Sequence, residues 1–347
     1  PARAFGVRSG MPTSRARRLC PGGIFIQPDF DSYMSKSKQV REVFNSFSSI
    51  VEPVSLDEAF IDVSRARRMW ANPPTIAEAL RDRVMRETGL VVSVGVAPNR
   101  FLAKVASRRA KPDGIVVVRE GDVEAFLHPL HVGELWGVGE QTVLILERLG
   151  LRTVGDVAAL PRETLERALG SLGAHLADLA AGRDDRPIVP NVIRKSLGAD
   201  ETFEQDLVQE LQMAQALLKL SDRVCTRLRS QGISGRTVTL KVRFGNFATL
   251  TRSRSLPHEI DSTSGIFGVA RDLLRQVLGD REPGTKRIRL LGITMSNLSE
   301  WPASEQLTFD RAPNWSQADR AIDRVRFRFG DDAVGFGSLL EDPYNQF

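Results

Sequence analysis

Two adjacent carboxylates, Asp57 and Glu58, interrupt the apolar stretch VEPVSLDEAFIDV at residues 51–63. In an extended strand neighbouring side chains point to opposite faces, so the pair could not share a ligand there. At the apex of a hairpin they can converge, and the apolar runs on either side favour a hairpin. Two carboxylates held together repel each other unless water or cations surround them, and Mg²⁺ prefers such oxygen ligands. An ordinary acidic turn exposed to water is the alternative.

Cations follow in the segment SVGVAPNRFLAKVASRRAKPDG at residues 93–114. Its pattern predicts a buried strand, a turn and a helix with Lys104 and Arg108 on one face, and Lys111 lies just past the helix end. Cations placed there could hold a triphosphate whose metal ions sit on the carboxylates. Carboxylates, metals and phosphate-binding cations are the minimum equipment for phosphoryl transfer. A basic helix face exposed to water is the simpler alternative.

Length and composition exclude several classes of protein. The chain has 347 residues, which suggests two or three domains. No apolar run approaches the roughly 18 residues needed to cross a bilayer, and the start PARAFGVRSG lacks a signal-peptide core, so we expect a cytoplasmic protein without membrane contact. Two distant cysteines and four histidines without metal-type spacing indicate neither a disulfide framework nor a zinc site.

Basic residues cluster in three tracts that contain no acidic residue, at 1–18, 99–111 and 225–256. The formal net charge is only +5, but clustering matters more than the sum. Any one tract could be ordinary surface charge. Three of them favour a polyanionic partner.

Helices and strands must position these residues. Helical spacing occurs at 40–47 and 76–89, and buried strands are predicted at 91–97 and 115–120, so the hairpin belongs to an α+β layer.

The region 131–183 is helical and punctuated by glycine, in the pattern of paired helix-hairpin-helix elements. Gly137 and Gly139 in LWGVGEQT permit a tight turn that exposes backbone N–H groups at a helix N-terminus. Such groups bind a phosphate without reading a base. A purely structural turn is the alternative.

A linker is predicted at RDDRPIVPN, residues 183–191, and a second α+β unit follows it. Helices are predicted near 206–230 and 263–278, and strands at 236–244, 248–256 and 286–298. Period-two alternation places apolar residues on one face of the first strand and Lys241 and Arg243 on the other. In the second strand Arg252 and Arg254 share a face, while Thr251 and Ser253 line the opposite one. We predict one apolar and one basic sheet face, and a loose, salt-sensitive grip on template phosphates by Lys241, Arg243, Arg252, Arg254 and Arg289.

The motifs SLDEAFIDV, SVGVAPNRFLAKVASRRAKPDG, LWGVG, KSLGADETF and TLTRSRSL resemble, in order and through nearly all of the chain, a Y-family DNA polymerase of the DinB (polymerase IV) branch. The resemblance implies a low-fidelity, distributive translesion polymerase with an α+β multidomain, right-hand-like fold. The implied domains are partial fingers 1–28, palm 29–118, helix-hairpin-helix thumb 119–187, linker 188–194, little finger 195–299 and tail 300–347.

The resemblance also implies roles for single residues. Asp57 and Glu58 would bind two catalytic Mg²⁺ ions, for which Mn²⁺ can substitute. Arg3 and Lys111 would contact the phosphates of the incoming deoxynucleoside triphosphate, and Ser55 would support the turn. Primer-template DNA would be held by a wider set, comprising Ser55, Gly137, Gly139, Lys241, Arg243, Thr251, Arg252, Ser253, Arg254 and Arg289. We expect a monomer that acts at the bacterial nucleoid.

The sequence departs from the family pattern at its start. Members begin with a strand that carries an Asp metal ligand, followed by an aromatic steric gate against ribonucleotides, and neither precedes Pro1. With Asp57 and Glu58 alone the metals would be under-ligated, so we expect the chain as given to be inactive or severely impaired. A non-catalytic scaffold for DNA and the sliding clamp is the alternative function. A nucleotidyl cyclase with a similar palm is a third, although it would need neither helix-hairpin-helix elements nor a basic sheet.

A short peptide follows the last predicted strand. Gln306, Leu307 and Phe309 in QLTF resemble the motif that binds the bacterial sliding clamp, the β subunit of DNA polymerase III. An exposed peptide of this kind is costly unless it docks on something. The alternative is packing against its own domain.

Overall fold

The computed structural model describes residues 1–65, 72–190, 194–279, 287–300 and 315–339. The chain divides into two compact units, Pro1–Val192 and Ile193–Phe347. This boundary lies within residues 188–194, the linker implied by the resemblance, and just past the segment 183–191. The finer division into fingers, palm and thumb stays a prediction. Within these described ranges, no helix is both long and apolar enough to cross a membrane.

The first unit combines short strands with nine α-helices in its described part. The strands are β1 Val51–Pro53, β2 Ala59–Ile61, β3 Val94–Val96 and β4 Ile115–Val117. The helices are α1 Thr13–Leu19, α2 Phe30–Phe47, α3 Pro73–Thr88, α4 Arg100–Arg109, α5 Val123–Leu127, α6 Glu140–Arg148, α7 Val154–Ala158, α8 Arg162–Leu169 and α9 Ser171–Ala180. Strands β1 and β2 form the predicted antiparallel hairpin, and β3 pairs with β4 in parallel. The predicted helices are confirmed, but β3 and β4 are shorter than predicted.

Helix α4, predicted within residues 93–114, begins at Arg100 because Asn99 caps its first turn by accepting a hydrogen bond from the Leu102 amide at 3.0 Å. Its apolar side chains Phe101, Leu102 and Val105 are buried in a core shared with α6 to α9. Its other side lies against β3, where Gly95 brings the two backbones together. The helix is therefore fixed on two sides.

The helical region contains the two predicted helix pairs, α6 with α7 and α8 with α9. Thr153 caps α7 and forms a capping box with Asp156. Hydrogen bonds from the Thr153 and Arg152 amides hold the pKa of Asp156 below its usual value. The turn after α6 passes through Gly150 at φ +81°, a conformation that favours glycine. These local signals explain why the helix-hairpin-helix pattern was recognisable.

The second unit is a four-stranded antiparallel sheet with helices α10 Glu210–Ser230 and α11 Thr263–Gly279 on one face. The strand order is β5, β8, β6, β7, with bounds β5 Ser196–Leu207, β6 Ile233–Phe244, β7 Thr249–Ile260 and β8 Ile288–Glu300. Three of these strands and both helices were predicted. Strand β5 was missed, and because it extends to Leu207 the following helix begins at Glu210 rather than at 206.

A last helix, α12 Trp315–Phe329, is attached to this unit through charged contacts. The Arg229 guanidinium, only 4% exposed, contacts Asp323 at 2.6 Å and Asp319 at 3.3 Å. Asp319 also accepts a hydrogen bond from the Thr263 amide at 2.7 Å. Complementary charges therefore attach α12 to the second unit.

Gly95→Ala tests the close approach of β3 and α4. An added Cβ would lie 2.1 Å from the Ala103 carbonyl oxygen and 2.4 Å from the Ser107 nitrogen, both backbone atoms that cannot rotate away. We expect a loss of about 1–3 kcal/mol or more in the unfolding free energy, measured by urea denaturation. Gly121→Ala is the control, because nothing lies within 4 Å of the added methyl group. Equal stability of the two variants would contradict this account of the packing.

Candidate active site and nucleic-acid interface

The two carboxylates lie in the exposed turn of the β1–β2 hairpin. The turn is closed by hydrogen bonds from the Val54 and Ser55 amides to the Glu58 carbonyl oxygen, at 2.9 and 3.2 Å. The Ser55 hydroxyl donates to Asp57 Oδ1 at 2.6 Å and accepts from the Asp57 amide at 3.3 Å. Ser55 therefore holds Asp57 within the turn through neutral groups.

Glu58 is held differently, by a cation from a distant helix. Its Oε2 atom lies 2.6 Å from Lys104 Nζ on α4. One turn further along α4, Arg108 lies 3.5 Å from Glu134. Both helix cations that the sequence suggested for a triphosphate are thus paired with carboxylates of the protein. Their role in binding a triphosphate stays a prediction.

A second ion pair lies at the base of the hairpin and was not predicted. Arg100, at the start of α4, makes two hydrogen bonds to Glu52 of β1, at 2.7 and 3.2 Å. Both side chains are nearly buried, at 12% and 11% exposure. The Arg100 guanidinium also lies 4.7 Å from the centre of the Phe60 ring. A single glutamate inside the apolar run of β1 was the only available signal.

The first part of the predicted linker is bound to this same pair. The Val189 amide donates to Glu52 at 2.8 Å, and Arg100 donates to the Pro187 carbonyl oxygen at 3.1 Å. Asn99 holds the Gly182 carbonyl oxygen at 2.7 Å. The segment from 182 to 189 is therefore held on the first unit by these hydrogen bonds. The linker at 183–191 stays a prediction.

Asp184 and Arg186 form an ion pair at 2.7 Å within this segment. Burial tends to raise the pKa of Asp184, but the hydrogen bonds and charge of Arg186 outweigh it and lower the pKa. The Arg186 guanidinium lies 4.9 Å from the centre of the Trp136 ring. Trp136 therefore stacks with a cation from the fastened segment.

The two cations predicted to bind the nucleotide phosphates do not contact the carboxylate pair in the structure. Among the described residues, no hydrogen bond or ion pair joins Arg3 or Lys111 to Asp57 or Glu58. Both cations are exposed. Their predicted role in binding nucleotide phosphates stays a prediction.

The turn before α6 has the predicted glycine geometry. Gly137 has φ +92°, and Gly139 is the N-cap of α6 without any side-chain cap. The first amides of α6 are thus left without a capping side chain, as a phosphate contact would require. DNA binding by this turn stays a prediction.

The strand register corrects the predicted basic sheet face. Residues directly opposite each other in an antiparallel pair share a face. Arg252 lies opposite Leu240, and Arg254 lies opposite Val238, both fully buried residues of the core face. Arg254 accordingly reaches Asp272 of α11 at 3.2 Å. The two arginines share a face, as predicted, but it is the helix-covered face at the edge strand β7.

The open face of the sheet is lined mainly by hydroxyl groups. Lys241 lies opposite Thr251 there, and Thr239 lies opposite Ser253. Hydroxyl pairs cross from β6 to β7 at 2.8 Å between Thr237 and Ser255 and at 2.9 Å between Thr239 and Ser253. The face is therefore more neutral than the sequence predicted.

The few cations of the open face are partly engaged. Lys241 pairs with Asp200 of β5 at 2.6 Å, across Gly292 of the intervening strand β8. An added Cβ at Gly292 would lie 2.0 Å from the Asp200 carboxylate, so only glycine leaves room for this pair. Arg289 lies 5.0 Å from the centre of the Phe247 ring and 3.7 Å from Asp206.

Models of known protein families match parts of both units. Residues 1–108 match the impB/mucB/samB family, and residues 194–309 match the C-terminal domain of that family.

Curated relatives are similar over most of their length. DNA polymerase IV 2 of Mesorhizobium japonicum is 42% identical over 354 residues, covering 97% of this chain and 84% of the relative. DNA polymerase IV of Alkalilimnicola ehrlichii is 43% identical over 297 residues, covering 86% of this chain and 82% of the relative.

Solved structures share the fold. A Y-family DNA polymerase chimera of Dbh and Dpo4 has a TM-score of 0.75 at 26% identity, with 85% of each chain covered. DinB from Sulfolobus solfataricus has a TM-score of 0.56 at 25% identity, again with 85% of each chain covered. The chain belongs to the impB/mucB/samB family of Y-family DNA polymerases, in the DinB branch. The multidomain α+β fold and the class predicted from the sequence, a DNA-directed DNA polymerase of the translesion type, are confirmed.

Proposed function

We propose that the hairpin turn at Asp57 and Glu58 is the centre at which this translesion polymerase adds deoxynucleotides to a primer 3′ end. The observation that carries the proposal is the exposed apex, where two adjacent carboxylates are presented by a turn closed through its own hydrogen bonds. A fixed pair of hard oxygen ligands at the surface suits metal ions that arrive together with a substrate.

The ligand chemistry of the turn fits Mg²⁺. Magnesium retains several waters and is commonly bound by one or two carboxylates together with substrate phosphates. Within the described ranges, no group of three or more His, Cys, Asp or Glu side chains could hold a metal ion. Asp57 and Glu58 would hold it together with further oxygen ligands, among them those of the substrate phosphates. When bound, two such ions would stabilise the charge that develops on the attacking and leaving oxygens, and Mn²⁺ could replace them.

Exposed cations would position the nucleotide and the DNA. Arg3 and Lys111 would contact the triphosphate, and the glycine turn before α6 would contact a DNA phosphate. The open sheet face would hold the template through Lys241, Arg243 and its hydroxyl groups. Two structural neighbours are described as an insertion ternary complex and a post-insertion binary complex of Dbh DNA polymerase. By analogy, we propose primer-template DNA and deoxynucleoside triphosphates as the ligands of this chain, which would act as a monomer.

Primer extension after substitution of the carboxylates tests the site. Asp57→Ala or Glu58→Ala should lower nucleotide incorporation by about 1,000-fold or more and leave DNA affinity nearly unchanged, because these groups act on the reacting atoms. Incorporation would be measured with Mg²⁺ and with Mn²⁺, in the 347-residue chain and in the same chain extended by the Asp-bearing amino-terminal strand of a relative.

Asp62→Ala is the matched control for this experiment. Asp62 follows the same hairpin, but its carboxylate caps the Ser64 amide at 2.8 Å. Retained incorporation in the Asp57 variant would refute the metal assignment. If neither form of the parent chain incorporates nucleotides while both bind primed DNA, the scaffold function is favoured.

The salt dependence of DNA binding tests the sheet. Lys241→Ala with Arg243→Ala should lower the slope of log K against log salt by about one, the contribution of Arg243, because Lys241 is paired with Asp200. Arg252→Ala with Arg254→Ala should lower it by about one, because Arg254 is paired with Asp272. Arg275→Ala on α11 should leave the slope unchanged. Unchanged slopes in both double variants would contradict the proposed grip, and a larger effect of the arginine pair would place the DNA at the edge strand.

The QLTF peptide lies outside the described residues, and clamp binding is proposed on its resemblance alone. Leu307→Ala with Phe309→Ala should remove stimulation of primer extension by the sliding clamp and leave distributive synthesis intact, because both apolar anchors are lost. Thr308→Ala, at the variable position of the motif, is the control. Clamp stimulation that survives in the double variant would place the clamp-binding site elsewhere.

A further inference from the structure

Helix α4 holds the carboxylate hairpin through two ion pairs. Arg100 and Lys104 lie four residues apart and so project from the same side of the helix. Arg100 holds Glu52 at the base of the hairpin, and Lys104 holds Glu58 at its tip. Two ion pairs therefore join this one helix to this one hairpin.

Trp136 lies against the cations of both ion pairs. The centre of the Trp136 ring lies 5.6 Å from the Arg100 guanidinium and 5.4 Å from Lys104 Nζ. It also packs against Phe60 of β2 at 5.9 Å. The ammonium group of Lys104 is thus placed between an aromatic face and a carboxylate, which limits the directions it can take.

The helix is a rigid support for these two cations. Phe101, Leu102 and Val105 are at most 2% exposed, and they fix the backbone on either side of Lys104. The Lys104 side chain is only 18% exposed, whereas Glu58 is 44% exposed. Lys104 is therefore the more enclosed partner of the pair, and Glu58 is the more exposed one.

We infer that Lys104 is a positioning residue, which holds one oxygen of Glu58 and leaves the other oxygen for the metal and substrate. The inference rests on the proposed function for the role of Glu58. Among the described residues Glu58 Oε1 makes no hydrogen bond, while Oε2 is occupied by Lys104. The two carboxylates of the turn are therefore unequal, since Asp57 is held by a neutral hydroxyl group and Glu58 by a charge.

A role of Lys104 as a phosphate ligand would give a different arrangement. A lysine that binds triphosphate has to extend its ammonium group towards the substrate. Here the ammonium group lies against Trp136 and within 2.6 Å of Glu58. Moving it would leave Glu58 without its partner at the moment when the carboxylate has to be aligned.

Backbone hydrogen exchange of the 347-residue chain tests the inference without metal, nucleotide or DNA. Lys104→Met removes the charge but keeps the length of the side chain. The Val54 and Ser55 amides, which close the turn onto Glu58, should exchange about two- to fivefold faster, the factor expected for an ion pair of this exposure. Arg108→Met is the matched control, because it removes the next cation of α4 and its pair with Glu134 without touching the hairpin. Equal exchange of these amides in the two variants would overturn the inference.

Kinetics separate positioning from phosphate binding in the form of the chain that incorporates nucleotides, either the 347-residue chain or its extended form. Lys104→Met should lower kcat about 10- to 100-fold, as expected for a misplaced group at the reacting centre, and change KM for the nucleotide less than twofold. Lys104→Arg should recover most of kcat because it restores the cation. A rise in KM with kcat unchanged would show that Lys104 binds phosphate and would overturn the inference.

The two proposals fail in different ways. If Asp57→Ala retains incorporation, the metal site is wrong, yet faster exchange in Lys104→Met would still show that Lys104 orders the turn. If Asp57→Ala abolishes incorporation while exchange is unchanged in Lys104→Met, the positioning role alone is wrong. Unchanged melting temperatures in both α4 variants would confirm that the measured effects are local.

Discussion

The buried ion pair between Glu52 and Arg100 is the constraint on which the first unit depends. It joins β1, the start of α4 and the segment that ends at Val189, because Glu52 and Arg100 each also bind that segment's backbone. Replacing such a pair by apolar residues can be neutral, but removing one partner leaves a buried charge and costs about 3–5 kcal/mol. Its main effect is therefore specificity. It fixes one position of the hairpin relative to α4, and the ion pair between Lys104 and Glu58 depends on that position.

Much of this fold could be predicted because local signals agree with each other. Apolar spacing and the turn glycines identified the hairpin, α4 and the helix pairs. Strand β5 was missed because Gly198 and Asp200, which normally argue against a strand, occupy its open face. Glycine is needed beside Thr294, whose hydroxyl would lie 2.5 Å from an added Cβ. Its presence reflects the neighbouring strand, which a local pattern does not contain.

The faces of the sheet show a similar limit. Alternation within β7 correctly placed Arg252 and Arg254 together, but only the register with β6 decides which of the two faces they occupy. A shift of one residue exchanges the two faces of a strand. Likewise, the adjacent carboxylates and the family resemblance singled out Asp57 and Glu58 as candidates, but the ion pairs that hold their hairpin join residues 46 and 48 positions apart in sequence. Such pairings arise from tertiary packing.

The rows of paired hydroxyl groups on the open sheet face have a consequence for how a template would be tolerated. Each hydroxyl can donate one hydrogen bond and accept two, and it can rotate to suit its neighbour. A duplex resting there would meet a surface that adapts its polarity to whatever backbone atoms arrive, without demanding one regular spacing of phosphates. A bulged or chemically altered strand would lose little on such a surface, so forgiveness of distortion would be a property of threonine and serine side chains as much as of an open catalytic centre.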